Sequence, residues 1–237
     1  MDNKKIVISL GGSLLSDDFT YQHIAEYVTV FEKLYDEGYS LTVTVGGGRS
    51  ARKYIEILSQ KQMKEKKEKH IKCDMIAVSV THSNALLLKY MTDDKKTYPK
   101  IPKSNFAIKT AIKTQQKTNN IIYCGGTKPF QSTDGVASFC ALNSGAELII
   151  NATNIDGVYD KNPKEDSNAK KIDKLSYEEF RKIIAPNPQS PGKYALFDLK
   201  AIPLLENQKI KLVILDGRDP QNILKAVKGN KSGSLIS

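Results

Sequence analysis

The amino-acid sequence predicts an α/β fold in which an open, mostly parallel sheet is sandwiched between helices. Segments of β-branched apolar residues alternate along the chain with segments in which apolar residues recur at helical spacing. Three of the apolar segments run directly into glycine turns, at Gly11, Gly46 and Gly125. Strands that alternate with helices form parallel sheets covered on both faces, because each parallel connection needs a crossover segment. A single domain spanning residues 1–237 accommodates the whole pattern.

The first half of the chain divides into strands and helices by these two patterns. Apolar runs predict strands, and these are 6–10, 41–46 and 121–124. Apolar residues at helical spacing predict helices, and these are 21–36, a helix that begins at Ser50 and continues into a lysine-rich segment, 74–91 and 133–143. Gly38 closes the first long helix, since glycine is favoured just past a helix end. The polar, proline-containing segment 92–103 predicts a loop around a short strand.

The second half begins with a predicted strand at 148–152, followed by a polar, turn-rich segment at 153–175. In that segment Asp156-Gly157 predicts a hairpin turn and Asn162-Pro163 a second turn. Ser176 and Glu179 have the spacing of a capping box, which predicts a helix running to about Ile184. The remaining predicted elements are a proline-rich loop at 185–192, a helix near 197–207, a strand at 211–215 and a helix after Asp219-Pro220, followed by a terminal segment Ser234-Leu235-Ile236.

Composition narrows the class of protein. Hydrophobic residues make up 40% of the chain and charged residues 26%, which excludes global disorder. The three cysteines form no C-x-x-C pair and the three histidines have no metal-ligand spacing, so we expect a cytoplasmic protein with no metal site of its own. The net charge is +10, but the lysines are dispersed and interleaved with glutamates. This dispersed charge argues against a nucleic-acid surface. No apolar stretch reaches the roughly 20 residues of a membrane helix. We therefore expect small-molecule partners rather than nucleic acid or a membrane.

The first two glycine turns have the pattern of phosphate-binding turns. Gly11-Gly12-Ser13 follows the first strand, and Gly46-Gly47-Gly48 follows the second, with Arg52 about one helical turn further on. Glycine lets the backbone approach a ligand closely, and a helix start adds a partial positive charge. Arginine at that position can bridge two phosphates with its planar guanidinium. The alternative is a tight turn followed by a surface arginine.

A third glycine turn follows the strand at 121–124. The segment Gly125–Asp134 brings backbone donors, hydroxyls, a lysine and a carboxylate together. The alternative is a helix N-cap at Thr133 with Asp134 in the first turn, but capping alone does not explain the glycines, the lysine and the proline. The segment 152–163 then follows the next strand, and after three glycine turns it is a candidate pocket for a nucleotide base and ribose.

In this order the motifs resemble the amino-acid kinase superfamily, and within it the uridylate (UMP) kinases of archaeal and bacterial type. The resemblance covers essentially the whole chain. It rests on S-L-G-G-S at 9–13, V-G-G-G-R-S-A-R-K-Y at 45–54, G-G-T-K-P-F-Q-S-T-D at 125–134, A-T-N-I-D-G-V-Y at 152–159 and F-D at 197–198. It implies ATP-dependent phosphorylation of UMP to UDP in pyrimidine nucleotide synthesis. It also implies an acceptor-binding lobe at about 1–145, an ATP-binding lobe at about 146–237, and a homo-oligomer, usually a hexamer.

The resemblance also implies a role for each motif. The expected ATP-binding residues are Gly11, Gly12, Ser13, Gly48, Arg52, Thr153, Asn154, Tyr159 and Asn162. The expected UMP-binding residues are Gly47, Asp74 on the ribose, Gly126, Thr127, Lys128, Pro129, Phe130, Gln131, Ser132 and Thr133. Arg52, Asp134 and Lys128 are the expected catalytic residues, with Asp134 organising the phosphates and the Mg²⁺ that they bind.

Three positions depart from the family pattern. Ser9 stands where many relatives have a lysine, Lys128 where archaeal relatives usually have a histidine, and Asn162 where members often have an aspartate. Two other functions therefore stay open. One is a kinase for another small phosphate or carboxylate, such as isopentenyl phosphate or an amino acid. The other is a non-catalytic nucleotide sensor or storage protein, since a fold does not determine a function.

Overall fold

The computed structural model describes residues 4–63, 65–163, 165–186 and 196–237. The first half of the chain contains β1 (Lys5–Leu10), α1 (Gly12–Ser16), α2 (Tyr21–Asp36), β2 (Ser40–Val45), α3 (Gly48–Ser59), α4 (Lys66–Met91), a 3₁₀ turn (Asp94–Lys96), α5 (Asn105–Thr118), β3 (Ile122–Cys124) and α6 (Thr133–Ser144). The second half contains β4 (Leu148–Thr153), β5 (Val158–Tyr159), β6 (Lys171–Ile172), β7 (Lys174–Leu175), α7 (Tyr177–Ile184), α8 (Ile202–Asn207), β8 (Lys211–Asp216), α9 (Gln221–Val227) and β9 (Ser234–Ile236).

Seven of these strands form one sheet in the order β3-β2-β1-β4-β8-β9-β7. The five strands from β3 to β8 in this order are mutually parallel. Strand β9 pairs antiparallel with β8, and β7 pairs parallel with β9, so these two run opposite to the five. The predicted mostly parallel sheet is therefore confirmed. Because the five strands point the same way, the turns that follow β1, β2, β3, β4 and β8 all emerge at one edge of the sheet.

Helices cover both faces of this sheet, as predicted. Successive residues of a strand point to opposite faces, so Val7 and Ile149 pack into one buried cluster and Ile8 and Ile150 into the other. The first cluster also contains side chains of α5, α6, α7 and α8, and the second those of α2, α4 and α9. Buried on both faces, the central strands are near-continuous apolar runs, which is the pattern that made them predictable.

Several predicted boundaries and one turn were wrong. The helix predicted from 74 begins at Lys66, so Asp74 lies in its third turn rather than at its start. The helix predicted from Ser50 begins at Gly48 and ends at Ser59, before the lysine-rich segment into which it was expected to continue. The helix predicted near 197–207 begins at Ile202. No helix was predicted for α5, which Ser104 caps by accepting from the backbone N–H of Ala107 at 3.2 Å.

Asp156-Gly157 is not the turn of a hairpin. The strand before it, β4, pairs with β1 and β8, and the strand after it, β5, pairs with β6. An Asp-Gly pair forms a hairpin only where its flanking segments pair with each other. The turn predicted at Asn162-Pro163 is confirmed, because the Asn162 carbonyl accepts from the backbone of Glu165 and Asp166. Most of the loop predicted at 185–192 lies outside the described residues.

Candidate functional site

The first two glycine turns pack directly on each other. A Cβ atom on Gly12 would overlap the backbone of Gly46 and Gly48, and one on Gly48 would overlap the backbone of Gly12. Gly48 also has φ +64, a conformation that favours glycine. The sequence predicted that these glycines let the backbone approach a ligand. At Gly12 and Gly48 the glycines also allow the two turns to pack against each other. This packing brings the start of α1 against the start of α3.

Neither of these helix starts is capped by the side chain of the residue before it, but the Ser16 hydroxyl accepts from the Arg49 N–H in the first turn of α3 at 2.8 Å. The residues before the helices are Gly11 and Gly47, which carry no capping atom, and neither first turn contains an acidic residue. The first backbone N–H groups of a helix have no partner within the helix, and the helix dipole adds positive potential there. Two adjacent helix starts that follow glycines at the carboxyl edge of the sheet suit the phosphates of a nucleotide.

Helix α4 holds both the second and the third glycine turn. The side-chain amide of Asn84 donates to the Gly46 carbonyl at 2.8 Å. The backbone N–H of Gly126 donates to the hydroxyl of Thr81 at 2.8 Å, and the His82 Nε2 lies 2.7 Å from the Gly126 carbonyl. Burial lowers the pKa of His82, so the neutral ring donates its Nε2 proton to that carbonyl. No individual role was predicted for these three side chains, because the sequence shows no sign of which turn an α4 residue contacts.

The third turn is held from the side by α4 and α5. The Asp74 Oδ2 accepts from the backbone N–H of Phe130 at 2.8 Å. Phe130 has φ +61, and its ring is 62% exposed. The hydroxyl of Thr127 lies 2.8 Å from the Asn105 Oδ1 and 2.6 Å from the Gln131 Oε1. Asp74, which was expected to bind a ribose, thus also fixes the backbone of the loop beside it.

A pair of carboxylates lies at the start of α6. Ser9 Oγ donates to Asp134 Oδ1 at 2.9 Å, and Ser132 Oγ donates to Asp198 Oδ2 at 2.6 Å. Burial, with a smaller contribution from the charge of Asp198, raises the pKa of Asp134 to about 7. Ser132, not Thr133, is the N-cap of α6 and accepts from the backbone N–H of Gly135. Two neighbouring carboxylates repel each other when both are ionised, and a bound cation would relieve that repulsion.

Two of the expected catalytic side chains extend into solvent. Arg52 lies in the second turn of α3, and Lys128 lies in the third glycine turn; both are exposed. Neither forms an ion pair with another described residue. Arg49, by contrast, pairs with Asp17 at 3.1 Å. The guanidinium of Arg52 and the ammonium of Lys128 are therefore available to an anionic ligand.

The residues expected to bind adenosine follow β4. The Thr153 carbonyl accepts from the backbone N–H of Gly217, at 2.7 Å, which joins the ends of β4 and β8. Asn154 is exposed. Tyr159 donates its hydroxyl to Asp156, at 2.9 Å, and Asn162 belongs to the turn described above. This segment and the three glycine turns emerge from the same edge of the sheet, so the topology groups the predicted site residues there.

Among residues 4–63, 65–163, 165–186 and 196–237, no group of three or more His, Cys, Asp or Glu side chains could hold a metal ion. In the same part of the chain, no helix is long and apolar enough to cross a membrane.

A sequence model described as the amino acid kinase family matches residues 4–216. The uridylate kinase of Hyperthermus butylicus is 37% identical over 214 residues, which cover 90% of this chain and 90% of that protein. The uridylate kinase of Methanobrevibacter smithii is 34% identical over 232 residues, which cover 98% of each chain.

Solved structures agree with these similarities. The crystal structure of uridylate kinase from Archaeoglobus fulgidus matches with a TM-score of 0.83 at 33% identity, over 98% of this chain and 100% of that one. UMP kinase from Bacillus anthracis matches with a TM-score of 0.78 at 20% identity, which shows a shared fold. With a family model that covers most of its length and relatives above 30% identity over nearly all of it, the chain belongs to the amino acid kinase family.

Proposed function

We propose that this protein transfers the γ-phosphoryl group of ATP to UMP, giving ADP and UDP. The observation that carries the proposal is the close packing of the glycine turns that start α1 and α3, near the Asp134–Asp198 pair at one edge of the sheet. The nearly full-length similarity to uridylate kinases supports UMP as the acceptor. The pyrimidine-nucleotide role predicted from the sequence follows from that reaction.

Transfer between two phosphates needs positioning and charge neutralisation more than covalent chemistry. In our proposal Gly12, Ser13 and Gly48 contribute backbone donors to the ATP phosphates, and Arg52 binds the group in transfer. Gly11, whose N–H donates to the Ala152 carbonyl at 2.9 Å, would shape the same turn. Bound magnesium would neutralise charge on those phosphates. The carboxylate of Asp134, which the hydroxyl of Ser9 holds in place, would face the bound magnesium.

The acceptor would bind between the second and third turns. The Asp74 carboxylate has acceptor lone pairs beyond the one used by the Phe130 N–H, and these suit the hydroxyls of a ribose. The exposed side chain of Phe130 suits stacking with a base. We propose that Gly47 and the segment from Gly126 to Thr133 complete this subsite, with Lys128 on the acceptor phosphate. Thr153, Asn154, Tyr159 and Asn162 would contact the adenosine of the donor.

We further propose that the protein acts in the cytoplasm as a homo-oligomer, the hexamer implied by the family resemblance. Exposed apolar side chains on α3 and α4 support association, since such side chains mark contact surfaces when they cluster. They are Tyr54, Ile57, Met75, Leu86 and Tyr90. Light scattering on the purified chain would measure the mass, and a monomer at micromolar concentration would contradict this part of the proposal.

A coupled assay for ADP release tests the reaction. The purified protein would be assayed with ATP and magnesium against UMP, CMP, isopentenyl phosphate and a panel of amino acids. We expect kcat/KM to be highest for UMP. Preference for isopentenyl phosphate or an amino acid would assign a different kinase activity. Nucleotide binding by calorimetry with no turnover of any acceptor would indicate a sensor or storage protein instead.

A further inference from the structure

A cavity of about 1030 Å³ lies at the opposite edge of the sheet from the glycine turns. It is lined by the first residues of three parallel strands, Lys5 of β1, Leu148 of β4 and Lys211 of β8, and by the turn between α9 and β9. Each of these strands is six residues long, so the cavity is about 17 Å from the reaction edge. None of the residues assigned to nucleotide binding lines it.

The floor of this cavity is apolar. It contains Ile6, Leu148, Val213 and Leu235, which belong to or pack against the buried cluster on the α2 and α9 face of the sheet. Leu148 and Leu235 are only half-buried, so the apolar cluster is open to solvent there. Apolar surface of this kind in a cavity is typical of a site for an organic ligand.

The rim is basic. Five lysines line the cavity: Lys4, Lys5, Lys174, Lys211 and Lys231. Two carboxylates, Glu147 and Asp173, are also present, and Asp173 is paired with Lys231 at 2.6 Å. The other four lysines form no ion pair with a described residue. Like charges that surround one cavity repel one another, so an anion in the cavity would relieve that repulsion.

We propose that this cavity is a second binding site, separate from the reaction edge, for an amphipathic organic anion. The ligand would place an apolar group on the floor and a phosphate or carboxylate against the lysines. The volume is at the upper end of the range for small-molecule sites, which run to about 1,000 Å³. A simple inorganic anion would leave the apolar floor uncovered and is not the ligand that this lining favours.

The probe is 8-anilinonaphthalene-1-sulfonate, an aromatic anion whose fluorescence rises in apolar surroundings. It would be titrated into the native protein with ATP, without magnesium, and UMP at saturation, so that the nucleotide sites are filled. We expect saturable binding of one probe per chain. Binding about tenfold or more weaker is expected for the variant Lys174→Glu/Lys211→Glu. The matched control Lys67→Glu/Lys113→Glu has the same net charge, with both changes on exposed helical positions outside the cavity, and should bind as the parent does.

Competition distinguishes the head groups. Octyl phosphate and octanoate would each be titrated against the bound probe, with inorganic phosphate as the third competitor. Displacement by octyl phosphate or by octanoate at concentrations where inorganic phosphate has no effect supports the proposal and identifies the preferred head group. Equal displacement by inorganic phosphate would overturn it, as would equal weakening in both double variants or an absence of saturable binding. Thermal melting of each variant would show that the changes leave the fold intact.

Discussion

Ser9, which contacts Asp134, stands where the family resemblance leads us to expect a lysine. The Ser9 hydroxyl donates to Asp134 but adds no charge, and the pKa of Asp134 stays raised, to about 7. In an enzyme that brings two phosphorylated ligands together, we expect another cation to supply the charge that such a lysine would contribute. Arg52 and Lys128 are candidates on this chain, because both are exposed at the reaction edge.

Arg52→Ala should lower kcat by about a hundredfold or more, because the arginine would stabilise charge that develops in the transition state. Arg52→Lys should recover only part of this loss, since an ammonium cannot bridge two phosphates as a guanidinium does. Steady-state kinetics with UMP and ATP would measure both variants. A kcat for Arg52→Ala within threefold of the parent would remove Arg52 from the catalytic group.

Lys128→Ala should lower kcat/KM for UMP about tenfold or more, the loss expected for one charge-assisted contact of roughly 1.5–3 kcal/mol. The KM for ATP and the melting temperature should not change, because Lys128 is exposed and forms no ion pair with a described residue. Lys100→Ala, another exposed lysine, is the control. If the two variants behave alike, the replacement charge comes from Arg52 and magnesium alone.

Asp74→Asn separates two roles of one carboxylate. The asparagine keeps an oxygen that can accept from the Phe130 N–H, so the loop should remain in place. The ribose hydroxyls lose a charged acceptor, so the KM for UMP should rise several-fold more than the KM for ATP. An unchanged KM for both nucleotides would mean that Asp74 serves only to hold the loop, and Asp74→Ala would then show the defect that Asp74→Asn lacks.

At the scale of elements, α4 connects the second and third glycine turns. Thr81→Val keeps the side-chain shape but leaves the Gly126 N–H without its acceptor, at a cost of about 1–3 kcal/mol. The control is Thr92→Val, just past the C-terminal end of α4, which removes a buried hydroxyl that bonds to Tyr123. Urea denaturation should show destabilisation in both variants, whereas only Thr81→Val should raise the KM for UMP. Equal KM values would show that α4 supports the fold without positioning the turn.

At the scale of the whole molecule, Asp134 makes the stability of the ligand-free protein depend on pH. Its folded-state pKa of about 7 lies above the usual value, so between pH 4 and 7 the unfolded chain releases the proton first. The folded state is therefore penalised increasingly as pH rises through this range, and the penalty is constant above it. A functional carboxylate that destabilises the free enzyme is a recognised trade between stability and activity.

Asp134→Asn should remove this penalty. We expect the variant to be more stable than the parent by about 1–2 kcal/mol at pH 8, below the full value of the shift because the side chain is partly exposed. At pH 4.5 the difference should be smaller than at pH 8, because the penalty accumulates only as pH rises from the unfolded to the folded pKa, and turnover should be lost at either pH. Urea denaturation at both pH values is the measurement, with the exposed Asp18→Asn as control. A stability gain that is equal at the two pH values would contradict the raised pKa.

The sequence by itself determined the order and class of most elements. Strands buried on both faces need continuous apolar runs, such as 148–152, and capped helices carry local signals, such as Ser176 with Glu179. The glycine turns were found for a related reason, since a glycine triplet after a strand indicates close approach of backbone. The terminal segment 234–236 was singled out without a structural class, and the structure shows it to be a strand antiparallel to β8.

Only the tertiary structure decided which groups meet. Gly12 and Gly48 lie on different turns, Ser9 and Asp134 are separated by 125 positions, and no local pattern relates either pair. The Asp156-Gly157 hairpin was wrong for the same reason, because pairing depends on which strands the sheet brings together. Local sequence specifies the backbone conformation of a segment, whereas hydrogen bonds, burial and pKa shifts depend on neighbours that are distant along the chain and are brought close only when the sheet and its helices assemble.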